Sequence, residues 1–500
     1  MTSVTVKTVS IRTARQVWLG IAIFTLAGFC LGQPAVSLSP KSGPPTGELR
    51  VSGSGFAPQA RIDIYFDAKD GALAIADSAG SFSQIAIAAP ASALPGTHWV
   101  SAVERSGHAA VQAKFLVSTS WPEFHRPNME RLNSFENVLN VSNVGSMGLK
   151  WTFAGANVAS SPAVVTGVIY VGGGSTTHDL CALNASTGAL LWSYTTGGTV
   201  DSSPAVKNGV VYVGSDDGSV YAVNASTGVK LWSYSTGGLV ESSPVVEGGA
   251  VYVGSDYPSG GVYALNASTG ALLWSYATAN SVSSSPAVVK GVVYVGSFDS
   301  NVYALNASTG ALLWSYQTGG YVMSSPAVAN GVLYIGSNDR SVYALNASTG
   351  ALLWSYKTGG MIESSSPAVA KGVVYVGSFD NNVYALNAST GTLMWSFPAP
   401  LYVDSSPAVA NGVVYVGSWA GNMYALNAST GAKLWNYGVG RIGGSSPAVV
   451  NGSVYVASRR GVLYAFGLKH SRERAEASRR PDLKMLRPDF NLKASGAPSP

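Results

Sequence analysis

Five hundred residues exceed one ordinary compact core, so several units or a repeat array are expected. Charged residues make up only 11 %, glycine fills 58 positions and the apolar fraction is 46 %; this excludes a disordered chain and fits short strands joined by glycine turns. The formal charge of +5 sits at the ends: Lys7, Arg12 and Arg15 without an acid give +3, and eight Lys/Arg against four Asp/Glu from Lys469 onward give +4. The body between carries −2 and has no basic footprint for nucleic acid.

Residues 1–32 read as a signal peptide. A cationic leader precedes "VWLGIAIFTLAGFCL", an apolar run short for a membrane span, and small residues follow near Gly32 and Ala35. A retained N-terminal anchor is the rival reading, and Phe29 stands before Cys30 where lipid attachment wants a small residue. Cleavage after Gly32 leaves Cys181 as the one thiol, with no intramolecular disulfide. Residues 36–118 alternate in "ELRVSG", "RIDIYFD" and "GTHWVSAVE", with Gly/Pro turns between, which predicts about seven short strands in an immunoglobulin-like β-sandwich. The segment resembles modules appended to exported bacterial proteins. Residues 119–148 read as a linker.

Residues 149–468 are periodic. Trp151, Trp192, Trp232, Trp274, Trp314, Trp354, Trp395 and Trp435 recur every 40 to 42 positions, and the prolines of "SSPAV" keep the same step from Pro162 to Pro447. Each unit holds four strand signals, as in "SSPAVANG", "VLYIGS", "SVYALN" and "ALLWSY", with Asn-Gly punctuation at Asn330-Gly331. Four-stranded antiparallel units at this period predict a β-propeller of eight blades. "LKWTF" at 149–153 is a lone fourth strand, and the last unit has only three, so the N-terminal strand is expected to close the last blade. "NASTG" occurs seven times as the turn between third and fourth strands, where Asn and Ser/Thr bond their own backbone and Gly supplies positive φ. The eight tryptophans are expected to dock between neighbouring blades.

At these residues the chain resembles the pyrroloquinoline-quinone (PQQ) repeat family, whose docking motif runs Ala-x-Asp-x-x-Thr-Gly-x-x-x-Trp. Ala304, Asn306, Thr309, Gly310 and Trp314 fill it, with Asn in place of Asp in every copy. The resemblance implies a propeller and two function classes: quinoprotein dehydrogenases, and non-catalytic scaffolds such as an outer-membrane-assembly lipoprotein. The dehydrogenases resemble one another in a vicinal disulfide over the quinone, a Ca²⁺ held by carboxylate and Asn side chains, a catalytic Asp and long insertions. This chain has no Cys-Cys pair, and its units differ by about two residues.

Loops between first and second strands, and between third and fourth, are nearly monotonous. Those on the opposite face vary: "GSDDGS", "GSDYPSGG", "GSFDSN", "GSNDRS", "GSFDNN", "GSWAGN", "ASRRG". That variable face is the expected binding surface. Asp201, Glu241, Glu363 and Asp404 precede the inner strands and could ring the channel mouth. Asp216, Asp217, Asp256, Asp299, Asp339 and Asp380 lie in the loops beside Tyr257, Phe298, Phe379 and Trp419. An acidic ring could hold Ca²⁺, but no dense D-x-D-x-D-G loop appears, and solvated turn aspartates are the plainer reading. The aromatics could grip a peptide or glycan. His178-Asp179 near Cys181 matches no zinc spacing, and Cys181 stands where Tyr221, Tyr263 and Tyr303 stand elsewhere, a core filler. Residues 469–500 read as a basic disordered tail.

The expected object is an exported, monomeric, all-β protein acting as a protein-binding or scaffolding module at the cell envelope or outside the cell. No catalytic residue, metal or cofactor is expected. A PQQ-dependent oxidoreductase with Ca²⁺ is the alternative, and a carbohydrate- or peptide-recognition lectin the second.

Overall fold

The computed structural model describes residues 33–468 except 107–108, 125–129, 159 and 175–177. The signal-peptide and basic-tail readings fall outside the described residues. Among those described, no helix is long and apolar enough to cross a membrane.

The N-terminal part is two sheets. One orders Ala35–Ser39, Glu48–Ser54 and Phe82–Ala88; the other orders Ser42–Gly43, Ala110–Val117, Gly96–Glu104, Arg61–Phe66 and Lys69–Ile75. Alternation in "ELRV" and "RIDI" sends Leu49, Val51, Ile62 and Ile64 inward, where they share a core with Phe56, Phe66, Val100 and Phe115. Two buried polar groups are anchored beside it: Asp63 takes a forked pair of hydrogen bonds from Arg105, and His98 is held at both nitrogens. His98 Nδ1 lies 2.6 Å from Asp67 Oδ2 and Nε2 lies 2.7 Å from the Leu94 carbonyl. Both neighbours only accept, so both ring nitrogens must donate, and the imidazolium is the form that fits. Burial works against that form, but the Asp67 hydrogen bond, the Leu94 carbonyl and the Asp67 charge outweigh it and raise the pKa. A raised folded pKa contributes stability in full below the unfolded value of about 6.5, and that stability is lost as pH rises through the folded pKa. The unfolding free-energy difference between wild type and His98→Gln is therefore expected to shrink as pH rises from below about 6.5 through the raised folded pKa. A difference constant over that range would contradict the doubly bonded imidazolium.

Eight sheets follow among the described residues, numbered here along the chain; seven are four-stranded and antiparallel, and sheet seven adds a short fifth strand in parallel. Sheet one is Ala163–Val165, Val168–Gly172, Asp179–Asn184 and Leu190–Thr195. Sheets two to seven repeat its pattern and begin at Ala205, Val245, Ala287, Ala327, Ala368 and Ala408. Sheet eight takes Ala448–Val450, Ser453–Ser458 and Gly461–Leu468, and its outer strand is Met147–Val158 from the start of the array. The arrangement is a β-propeller.

Two repeated devices join neighbouring sheets. At the outside, each tryptophan indole donates to a backbone carbonyl of the next sheet. Trp151, Trp192, Trp232, Trp274, Trp314, Trp354 and Trp395 bond the alanine carbonyls of the next "NAST" turn, from Ala185 to Ala428. Trp435 bonds the Met147 carbonyl instead, because sheet eight has no such turn. The ring also lies flat against the turn's glycine: a Cβ on Gly350, whose φ is +72°, would sit 2.7 Å from the Trp314 ring. Within each turn the Asn side chain accepts two backbone N–H groups, as Asn306 does from Ser308 and Thr309.

At the inside, the second serine of every "SSP" forms a circle. Ser161 N donates to Ser203 Oγ, Ser203 N to Ser243, and so on through Ser285, Ser325, Ser366, Ser406 and Ser446, whose N–H returns to Ser161 Oγ at 2.8 Å. The first serine braces its own sheet: Ser202 Oγ accepts from Gly214 N and donates to the Ser242 carbonyl of the next. The circle runs through all eight sheets and closes, leaving no open edge between the first and the last.

The segment read as a linker is packed into the hub. Trp121 exchanges two 2.7 Å backbone bonds with Val164 of sheet one, and the Pro122 carbonyl accepts from Val206 of sheet two. Glu130 and Arg131 carbonyls accept from Val369 and Val409 of sheets six and seven. Leu132–Asn133 then pairs in parallel with the inner strand of sheet seven, and Asn133 Nδ2 bonds the Val449 carbonyl of sheet eight. The physical reason is that innermost strands present unpaired N–H and C=O groups to the channel, and buried groups of this kind need partners. This segment, a hub belt, supplies them. It enters from the face of the monotonous turns, where Thr119 N meets Asn451 and Glu136 accepts from Gly452 N.

Candidate functional site

The variable face is built on one repeated backbone bond. The residue after the "GS" serine donates its N–H to the loop that precedes the inner strand: Asp216 to Thr199, Asp256 to Leu239, Phe298 to Ser281, Asn338 to Tyr321, Phe379 to Met361, Trp419 to Tyr402 and Arg459 to Arg441. A constant backbone therefore carries a side chain that changes from sheet to sheet: Asp, Asp, Phe, Asn, Phe, Trp, Arg. Specificity can be written there without disturbing the frame.

Inside this rim is a polar cup of about 590 Å³. Its wall includes Asp201, Ser203, Glu241, Ser243, Ser283, Met323, Ser364 and Arg459, and Phe124 of the hub belt lines its inner end. Arg131 supports that end. Its guanidinium donates to the carbonyls of Phe124, Pro407 and Pro447 and stacks 4.5 Å from the Phe124 ring centre. Burial pushes its pKa down to about 9, so it stays charged at neutral pH.

The rim is polarised. On sheets two and three, Asp201, Asp216, Glu241 and Asp256 lie near one another; burial raises all four, and the neighbouring charges raise Asp216 and Glu241 further. Burial, then the charges of Asp201 and Asp256, bring Asp216 up to about 6. Burial, then Asp256, Asp216 and Asp201, bring Glu241 up to about 7. Ser283 Oγ donates to both oxygens of Asp256 at 2.9 and 3.0 Å. Across sheets six to eight runs an aromatic ladder. Phe379 stacks on Tyr402 at 4.8 Å, Tyr402 meets Trp419 at 5.9 Å, and Arg459 lies 4.5 Å over the Trp419 ring.

The sequence-predicted residues divide accordingly. Asp201 and Glu241 line the cup. Asp404 is buried in its margin, where Ser364 and Gly444 bond its carboxylate, and Glu363 lies near enough to feel the Asp404 charge. Phe379 and Trp419 form the ladder, while Phe298 packs on Tyr321 at 5.4 Å, apart from it. Tyr257 projects into solvent, 77 % exposed, beside a shallow outer depression. Asp217, Asp299, Asp339 and Asp380 are turn braces: each accepts a backbone N–H two residues on and a tyrosine hydroxyl four residues on, as Asp339 does from Ser341 N and Tyr343. Sequence reasoning missed the serine circle, Arg131, Phe124, Arg459 and Tyr402. The serines were visible as "SSP"; the hub belt had no periodic signal.

The hub does not fit a quinone held with calcium. The inner end of the cup is taken by Phe124 and its supporting arginine. Cys181 is a free thiol in the core between sheets, pushed up to about 12 by burial and Asp179, so it forms no disulfide over a cofactor. Among the described residues, no three His, Cys, Asp or Glu side chains converge as an ion site.

Comparison with known proteins follows this geometry. A family profile described as "Outer membrane protein assembly factor BamB" matches residues 136–285, 235–325, 259–399 and 318–484, more than half of the chain. No curated protein sequence matches. Among solved structures, BamB from Moraxella catarrhalis superposes with a TM-score of 0.56 at 20 % identity, covering 64 % of this chain and 99 % of that one. The quinohemoprotein alcohol dehydrogenase ADHIIG from Pseudomonas putida HK5 gives 0.61 at 19 % identity, covering 73 % and 82 %. The computationally designed Ika8 protein gives 0.57 at 17 %, covering 64 % and 98 %. At these identities the likeness is one of fold.

Proposed function

Because this chain belongs to the family described as outer membrane protein assembly factor BamB, we propose that it is an exported, non-catalytic protein-binding module of the cell envelope or its surroundings. One observation carries the reading: a single rim position, fixed by the same backbone bond in seven sheets, bears five different residue types, Asp, Phe, Asn, Trp and Arg, around one cup. A scaffold needs a rigid frame with one irregular surface, and aromatic and arginine side chains on such a surface are the usual anchors of protein interfaces. The poor fit of the hub to a quinone with calcium weighs against the oxidoreductase alternative.

The test is site-directed photo-crosslinking in the native envelope. A crosslinking residue at Trp419 or Tyr257 is expected to give a defined protein adduct, and one at Ser308, on the opposite face, to give none. Equal adducts from both faces would contradict the reading. So would dye-linked alcohol oxidation on addition of pyrroloquinoline quinone and Ca²⁺.

A further inference from the structure

We propose that the face of the monotonous turns docks on an anionic lipid surface and sinks a girdle of leucines into it. The inference goes beyond the protein-binding reading and turns the variable face away from the membrane.

The girdle is the first ground. In sheets one to seven the outer strand carries a β-bulge just after its "NASTG" turn. In sheet four, Leu305 pairs with Leu312 and Ala304 with Trp314, which leaves Leu313 unpaired between them. A bulge re-aims a side chain, and here the result is exposure: Leu191, Leu231, Leu273, Leu313, Leu353 and Met394 are each 50 to 52 % exposed. In sheet seven the same position, Leu434, is partly buried against the core that holds Val144 and Met147. The position thus takes apolar cover where the chain itself supplies one. Soluble surfaces seldom expose large apolar groups without a partner to cover them. Six equivalent sites suit a continuous apolar phase, because a single folded partner would cover only one or two of them. Leu312 and Leu313 follow the turn's Gly310 by two and three residues, about 7–10 Å of strand. That reach matches the ~5–10 Å to which interfacial apolar groups sink.

Charge is the second ground and decides which apolar phase. Lys207, Lys290 and Lys371 stand exposed in the first-to-second turns of this face, and Lys230 and Lys433 open outer strands beside the girdle. Among the described residues of these turns and strand starts, only Glu247 opposes them, paired with Lys207 at 3.5 Å. The acids gather on the other rim, so the propeller is polarised from face to face and is basic where the leucines are exposed. Leu468 ends its strand beside the Asn451-Gly452 turn on this same face, and residues 469–500 beyond it hold eight Lys/Arg against four Asp/Glu. Basic side chains beside an apolar surface fit anionic headgroups above acyl chains. Val138, Leu139 and Val141 lie against the turns of sheets seven and eight, and Asn137 reaches the sandwich, so sheets one to six form the free arc.

The test is flotation of the full-length protein with vesicles of equal parts phosphatidylcholine and phosphatidylglycerol, with phosphatidylcholine alone as comparator. Flotation is expected with the mixed vesicles, to be far weaker with the neutral ones, and to fall as salt rises. The triple substitution Leu273→Gln, Leu313→Gln and Leu353→Gln is expected to weaken binding about tenfold or more. Lys230→Gln with Lys290→Gln and Lys371→Gln is expected to weaken it about tenfold or more. Arg340→Gln with Lys357→Gln, on the variable face, is expected to leave it unchanged. A melt of each variant shows whether it is folded. A photo-crosslinking residue at Leu313 is expected to give lipid adducts and one at Tyr257 none, which separates this face from attachment through either end of the chain. Equal flotation with neutral vesicles, unchanged binding of either triple variant, an equal loss in the Arg340 and Lys357 variant, or equal lipid adducts from Leu313 and Tyr257 would each overturn the proposal. So would a concentration-dependent dimer that the leucine substitutions abolish, because it assigns the girdle to a second copy of the chain. Protein adducts at Trp419 are unaffected by any of these outcomes, so the protein-binding reading is tested separately.

Discussion

Replacing Arg131 with alanine is expected to destabilise the protein by about 3–5 kcal/mol, one of the two largest single-residue effects. The side chain is 1 % exposed and donates to three carbonyls in separate parts of the chain, those of Phe124, Pro407 and Pro447. Removing it leaves three buried acceptors unmade, each worth about 1–3 kcal/mol, and opens a void against the rings of Trp121 and Phe124. Relief of the buried cation's desolvation offsets part of this. Arg131→Lys restores the charge but cannot span three carbonyls from one nitrogen, so it is expected to recover little. Urea unfolding followed by tryptophan fluorescence measures both. A loss under about 1 kcal/mol would mean that the hub belt is not held by this residue.

Trp314→Ala is expected to cost about 3–5 kcal/mol. The indole covers Gly350 and donates to the Ala347 carbonyl at 3.0 Å, and Tyr294 Oη donates to the same oxygen at 3.0 Å. The loss thus combines a cavity between sheets four and five with the departure of one of two donors. Gly350→Ala meets the same contact from the other side: positive φ disfavours a Cβ, and the Cβ would strike the ring. The two substitutions are expected to be non-additive, because the collision vanishes once the ring is gone. Strict additivity in a double-mutant cycle would contradict direct stacking.

The two sites differ in how they are written. The tryptophan, the "NASTG" turn and the "SSP" serines recur at a fixed step, so their partners lie one repeat away: Trp314 to Ala347, Ser203 to Ser243. Periodicity of that kind is read along the chain. The hub belt is written once, and its contacts reach as far as 276 positions from Arg131 to Pro407 and 332 from Thr119 to Asn451, which no local pattern encodes. The same contrast separates Asp216 from Asp217. Aligned on the tyrosine four residues on, Asp217, Asp299, Asp339 and Asp380 fall at one recurring offset and prove to be braces. The residue before each is where the units differ: Asp216 lies beside Asp201 and Asp256, Phe298 packs on Tyr321, Asn338 reaches Met323 and Phe379 stacks on Tyr402.

By itself the sequence determined the repeating unit: four strands, a docking tryptophan, an Asn-capped turn, and one variable face set apart from a monotonous one. Strand alternation and turn chemistry act over a few residues and leave their marks in order. Only the tertiary structure decided that residues 119–124 and 130–136 belong to the hub, and which carboxylates share a cup and which brace their own loops. Those outcomes depend on which inner-strand groups needed partners and which charges the closed ring brought side by side, and both arise only once distant parts of the chain have met.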